Sequence, residues 1–267
     1  MLIAFQSPLG SQVTIHLLYW YRCVYPMSDL LQLQTPCMRY VGSKRRLGRF
    51  FIRHIQRALE VYPNGKYIEP FVGGCNMITQ VNHHTKIGYD ANKYLIALLH
   101  EAKNNPDKLR QSTCISRKAY EYVKAHMDEF QAWYVGAMGF LPTYGCIWMG
   151  SYMNDKERGR FVKGINGLLK QNLADIHLIN SDYRNIPIGK GNVIYCDPPY
   201  IIHNYYGIPF NHEEFYDWVR YASRDNIVFV SEYEMPDDFD CIWQMQIRPQ
   251  INNNGRLRYE KLFIYRP

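Results

Sequence analysis

The 267-residue sequence contains no CxxC pair. Its seven cysteines stand at positions 23, 37, 75, 114, 146, 196 and 241, an odd number without the density of a disulfide scaffold or the spacing of a zinc site. A reducing interior is the expected setting. Glycine (18) and proline (14) are too scarce for collagen or low complexity. With 47% hydrophobic and 21% charged residues, the composition is not that of a disordered chain. No apolar run approaches the roughly 18–20 residues that span a bilayer. Val13 to Tyr21 is apolar, but the first Lys or Arg, Arg22, follows it, whereas a secretory signal carries its basic residues ahead of the apolar segment. A soluble, cytoplasmic chain without membrane or metal is expected. Lys+Arg 31 against Asp+Glu 24 gives +7, compatible with a phosphate-bearing partner without proving one. No G-x-G-x-x-G follows a strand-like segment, which disfavours a nicotinamide dehydrogenase.

What is present organises itself after position 37. Residues 1–37 show no clear period and carry Pro8, Pro26 and Pro36. They read either as a poorly packed extension or as an element covering one edge of the core. From Ser43, placed as N-cap, Leu47, Phe50, Phe51, Ile55, Ala58 and Leu59 recur at helical spacing. Tyr67–Val72 reads as a short strand running into Gly73-Gly74, and Lys86–Asp90 as a second strand with a helix after it. The block 105–175 is richer in aromatics and helical pieces. It holds a glycine-studded loop between about 136 and 152 and a helix from about Glu157 to Ala174. Strand–helix alternation resumes with His177–Asn180, Asn192–Cys196, a helix from His212 capped by Asn211, and Asn226–Ser231. Two closing strands flank Asn252-Asn-Asn-Gly255, a hairpin signal. The predicted fold class is α/β, with an open, mainly parallel sheet, a C-terminal β-hairpin and a helical insert.

Ligands in such sheets bind beyond the carboxyl ends of the strands, and three short motifs fall there. Phe71-Val-Gly-Gly74 lets backbone approach a ligand closely, although a Gly-Gly pair is more often only a turn. Asp90 ends the next strand, 17 positions after Gly73. It suits the two hydroxyls of a ribose and equally suits an N-cap. The third motif, Asp197-Pro198-Pro199-Tyr200, follows the apolar run Asn192–Cys196. The prolines stiffen the turn and lack N–H groups. A carboxylate and a rigid carbonyl can then accept both hydrogens of an exocyclic amino group, while the tyrosine ring stacks on the attached base.

With these residues assembled, the chain resembles the Dam-like (D12 class) N6-adenine-specific DNA methyltransferases, phage-encoded members included, from about Met38 to its end. Tyr40-Val-Gly-Ser-Lys44 is similar to the family's N-terminal cofactor motif and Glu69-Pro-Phe-Val-Gly-Gly74 to its glycine motif. Asp90 resembles its ribose-binding acid, and Asp197–Tyr200 its catalytic tetrapeptide. Ser181-Asp-Tyr183 matches a weaker position, and Phe229–Tyr233 with Glu260–Tyr265 resembles the phage-encoded tails. The resemblance implies a Rossmann-like fold split as 38–104 plus 176–267, with S-adenosylmethionine as cofactor. It places Tyr40, Lys44, Phe71, Gly73, Asp90, Asp182 and Asp197 at the cofactor and Asp197, Pro198, Pro199 and Tyr200 at the chemistry. Lys44 also reads as a solvated cation at a helix start, and Asp182 as a turn residue.

The implied partner is double-stranded DNA, with the protein a monomer. Target recognition would fall to the 105–175 insert, where Lys156, Arg158 and Arg160 suit phosphates and Trp148 or Tyr152 suits the gap left by a flipped base. A basic run on a helix is as often its solvated face. The loop Tyr144–Tyr152 departs from the family's wording, so the recognised sequence is not inherited; nor is the family's small residue at Cys75. Methylation of RNA, or of cytosine N4, keeps the same fold and cofactor. A DNA-binding protein without catalysis is the reading from another class.

Overall fold

The computed structural model describes residues 38, 40, 42–111, 116–153, 158–200, 210–247 and 258–266; the expected 1–37 extension and the 252–255 turn lie outside them. Helix α1 (Arg45–Val61) buries Leu47, Phe51, Ile55, Ala58 and Leu59, the face set by the three- and four-residue spacing. The helix begins one residue later than the expected Ser43 cap. Lys44 occupies the cap position, with no side-chain capping bond, because its ammonium is drawn sideways into the interior, as described below.

Seven strands follow: β1 (Tyr67–Glu69), β2 (Lys86–Asp90), β3 (Ile176–Asn180), β4 (Val193–Cys196), β5 (Ile227–Glu232), β6 (Phe239–Ile247) and β7 (Arg258–Tyr265). They form one sheet in the order β3-β2-β1-β4-β5-β7-β6. The first five are parallel, and β7 runs antiparallel to both β5 and β6. Every residue of β1 and β4 is buried, as apolar runs covered on both faces must be. Strand order reverses between β1 and β4, and Tyr67 pairs with both Lys86 and Val193. This leaves a crevice at the carboxyl ends of the central strands, where ligands collect in open α/β sheets.

Helix α2 (Lys93–Asn104) is capped by Asn92, whose side chain accepts from the Tyr94 and Leu95 amides. The insert then contributes α3 (Pro106–Gln111), α4 (Arg117–Ala125), α5 (Ala132–Phe140) and α6 (Arg158–Leu169). Tyr120, Val135, Phe140, Phe161 and Leu168 of these helices share one core with Tyr67, Val193 and Tyr195 of the sheet. Gly136 and Gly139, expected in a loop, lie inside α5. A Cβ at Gly136 would come within 2.2 Å of the Tyr94 carbonyl oxygen, and one at Gly139 within 2.2 Å of the Trp148 ring. These glycines permit close helix packing instead of breaking a helix. Helix α7 (His212–Ala222) covers the other face, with the Asn211 side chain accepting from the Glu214 amide as the capping pattern predicts. Among the described residues no helix is long and apolar enough to cross a membrane.

Candidate active site

The turn after β1 and the end of β2 meet in one place. Gly73 has φ +49°, in the left-handed region that favours glycine. Its amide donates to Asp90 Oδ2 at 3.1 Å, and the Asn92 amide donates to Asp90 Oδ1 at 2.9 Å. Each carboxylate oxygen therefore keeps acceptor capacity. Burial pushes the Asp90 carboxyl up to about 6 against the pull of these two bonds. Tyr40 lies across the turn: a Cβ on Gly73 would stand 2.9 Å from its ring, and one on Gly74 would stand 2.9 Å from its own Cβ. The insert reaches the same turn, since Gln171 Nε2 donates to the Gly74 carbonyl at 2.9 Å.

Asp197 leaves the end of β4 on the other side of this crevice. Ser231 Oγ donates to its Oδ1 at 3.0 Å, and Tyr195 OH adjoins Ser231 Oγ at 2.9 Å. Lys44 Nζ stands 3.0 Å from the same Oδ1, 3.5 Å from Glu260 Oε1 and 3.0 Å from the Gly42 carbonyl. Ser231 and Lys44 thus meet the Asp197 carboxylate on the same oxygen, Oδ1. The Pro199 carbonyl is fixed by His212 Nε2 at 3.0 Å. Tyr200 OH donates to Glu260, its ring has the Lys44 ammonium 4.3 Å above the centroid, and Tyr233 meets it edge-on at 4.8 Å. Burial opposes the Lys44 charge, but the Asp197 and Glu260 carboxylates outweigh it and hold the ammonium above its ordinary range. Burial raises Glu69 and Glu232 to about 8 each, with the Asp197 charge adding to both. Lys44 thus sits buried between two carboxylates, while Lys86 acts on Glu69 and Arg258 lies against Tyr233.

No curated protein matches the chain. Residues 40–134 match the model of the D12 class N6 adenine-specific DNA methyltransferase, a stretch that takes in the glycine turn, Asp90 and part of the insert. The match covers about a third of the chain, which is to that extent similar to a D12-class methyltransferase. Two solved structures of the rRNA methyltransferase aviRa from Streptomyces viridochromogenes are also similar. They are 13% and 12% identical, with TM-scores of 0.39 and 0.38, and each covers 91% of this chain and 96% of that one. Likenesses at that level decide neither fold nor substrate. The Rossmann-like methyltransferase fold rests instead on the family match and on the mainly parallel sheet with its central reversal.

The structure brings Tyr40, Gly73 and Asp90 together at the turn after β1, and Asp197, Pro198, Pro199 and Tyr200 follow the neighbouring strand β4. The remaining candidates have protein partners of their own. Lys44 does not point a donor at the glycine turn: its three N–H groups face Gly42, Asp197 and Glu260, because two carboxylates attract it there. Asp182 is a turn residue, its carboxylate taken by the Arg184 amide at 3.0 Å and by Nε and Nη2 of the same arginine at 2.8 and 2.9 Å. Phe71 packs into an aromatic group with Tyr183 and Phe215 at 5.4 and 5.6 Å. Trp148 is stacked on Tyr94 at 5.3 Å, and Tyr152 is buried against Tyr120 at 5.2 Å. Both serve the insert's core, and neither is a ring held ready in a mobile loop. Lys156 lies outside the described residues, as do the side chains of Arg158 and Arg160.

Sequence reasoning assigned no role to Ser231, Glu232, Glu260, Glu69 or His212. The available signal was a polar residue inside an otherwise apolar strand, as in Phe229-Val-Ser-Glu232. Among the described residues no group of three His, Cys, Asp or Glu is disposed to hold a metal. An open cavity between Tyr62–Lys66 and Ile188–Asn192 lies at the amino ends of β1 and β4, away from these groups.

Proposed function

We propose that this protein is a methyltransferase that moves a methyl group from S-adenosylmethionine to the N6 amino group of an adenine extruded from double-stranded DNA. The supporting observation is the Asp197 carboxylate at the end of β4, held through Oδ1 by Ser231 and Lys44, which in this reading turns Oδ2 to the substrate. The cofactor fits the residues opposite. Asp90 retains one acceptor position on each oxygen for a ribose diol, and the Gly73-Gly74 backbone, roofed by Tyr40, offers a surface without side chains. When bound, S-adenosylmethionine supplies a methyl group activated by its sulfonium charge.

The chain's own residues do the rest. Extrusion is required because the amino nitrogen is out of reach inside the stack. Tyr200 stacks on the flipped ring through the face that Lys44 does not cover. Asp197 Oδ2 and the Pro198 carbonyl accept the two N–H groups, drawing the nitrogen lone pair out of conjugation with the ring. As positive charge grows on that nitrogen, Asp197 stabilises it and stands ready for its proton. The Pro-Pro turn and the His212 bond to Pro199 fix the pair in place beforehand. The insert, with Lys156, Arg158 and Arg160, carries the DNA backbone in this reading.

Incubation with radiolabelled S-adenosylmethionine and a panel of methyl-free DNA and RNA, followed by nucleoside analysis, tests it. Label is expected in N6-methyladenine of DNA; label confined to cytosine or to RNA overturns the assignment. Asp197→Ala should retain cofactor binding by calorimetry while turnover falls by at least about a hundredfold. An active Asp197→Ala would refute the role given to that carboxylate.

A further inference from the structure

The tetrapeptide does not hold its own geometry. Tyr200 leans directly, and Asp197 through Lys44, on a carboxylate some sixty residues later in the chain. Glu260 lies on β7, where its side chain is 3% exposed. Its Oε1 accepts the Tyr200 hydroxyl and stands 3.5 Å from the Lys44 ammonium, which in turn stands 3.0 Å from Asp197 and 4.3 Å above the Tyr200 ring. Burying a carboxylate in a sheet is costly unless it is paired and hydrogen-bonded, and both partners of Glu260 belong to the active site. We propose that Glu260 is a positioning residue for methyl transfer: it pins the phenol edge of Tyr200 and shares the Lys44 charge with Asp197, so that stacking platform and amino-group acceptor keep a fixed relation.

Two consequences separate this role from ordinary packing. First, Lys44 divided between two carboxylates neutralises Asp197 less than a private ion pair would, which leaves Asp197 a better acceptor. Removing the Glu260 charge gives Lys44 wholly to Asp197 and weakens it toward the substrate. Second, a Tyr200 ring held at its hydroxyl cannot swing when the base arrives, so the loss should appear in kcat and not in cofactor affinity.

The proposal rests on the methyl-transfer reading, and the test keeps the two apart. With the full chain, Glu260→Gln preserves volume and an acceptor for Tyr200 but removes the charge, while Glu260→Leu removes both. Glu260→Gln should lower kcat about tenfold and Glu260→Leu about a hundredfold, with KM for S-adenosylmethionine within about threefold of wild type. Tyr200→Phe should cost about tenfold, and adding it to Glu260→Leu should cost no more than about a further twofold, since both remove one link. If Glu260→Leu fails to fold by thermal melting, Glu260→Gln and Tyr200→Phe carry the kinetic test. A second readout needs no substrate: with 3-fluorotyrosine at position 200, the fluorine resonance should move in Glu260→Gln relative to wild type. An unmoved resonance, wild-type kcat in a folded Glu260→Leu, or fully additive losses would overturn the proposal. A moved resonance in a protein whose wild type methylates nothing would instead sink the methyl-transfer reading and leave the clamp standing.

Discussion

A buried ammonium at Lys44 keeps Asp197 and Glu260 from repelling one another, and much of the site can be understood residue by residue from that fact. Asp197–Tyr200 was legible in the sequence because two prolines after an apolar strand leave few other readings. Glu260 was not: in Arg258-Tyr-Glu-Lys-Leu262 charged and apolar residues mix, and nothing local says which face is covered. Its role appears only when β7 is placed against β5. Asp90 was legible as one of two things: the helix cap falls to Asn92, while Asp90 takes the Asn92 amide on Oδ1 and the Gly73 amide on Oδ2. Gly73 carries the sharpest residue-scale expectation. An alanine there would sit at φ +49° with its Cβ 2.9 Å from the Tyr40 ring. Gly73→Ala should weaken S-adenosylhomocysteine binding about tenfold or more in calorimetry, through about 1–2 kcal/mol of backbone strain and displaced Tyr40. Unchanged affinity would mean that the turn does not form the cofactor surface.

At the level of elements, periodicity identified α1, α2, α7 and the parallel strands, since each buries one face or both and the spacing records it. The misreading of 136–140 as the start of a glycine loop has an instructive cause. Glycine lowers helix propensity by about 1 kcal/mol, but that cost is offset where two helices must approach more closely than a methyl group allows. Helix α5 meets α2 at such a point, with the Tyr94 carbonyl oxygen 2.2 Å from where a Gly136 Cβ would lie. Despite alanine's better helix propensity, Gly136→Ala should destabilise the protein by about 1–3 kcal/mol, because backbone cannot yield as a side chain can. Chemical denaturation checks this; a stabilised Gly136→Ala would show that α5 and α2 are not in that contact. Because Gln171 ties the end of the insert to the Gly74 carbonyl, the same variant should also disturb the cofactor turn.

Across the whole molecule, the buried carboxyls set how stability responds to pH. Glu69 and Glu232 lie at about 8 in the fold against 4.5 ordinarily, so between those values the folded chain holds protons that the unfolded chain has released. Unfolding free energy therefore falls as pH rises through that range. His54 works the other way: burial lowers it from 6.5 to about 4, so its contribution grows as pH rises to 6.5. Above that point, among the described residues, only Lys86, which burial lowers from 10.5, works against the two carboxyls, and it does so toward the alkaline end. The melting temperature of the ligand-free protein should decline from pH 6.5 to 9, and Glu69→Gln should flatten the decline. A melting temperature that holds or climbs over this range would mean that those carboxyls are not buried as described.

The segment that supplies Lys44 and the strand that supplies Glu260 are separated by most of the polypeptide, yet they close on Tyr200, one over its ring and the other at its hydroxyl. During synthesis, then, a ribosome-bound chain can complete β1 to β5 and the crevice between them while the tyrosine platform still lacks its anchor. Competence waits for residues 258–265 to emerge, so chains stalled just before that strand should take up cofactor and remain silent toward DNA.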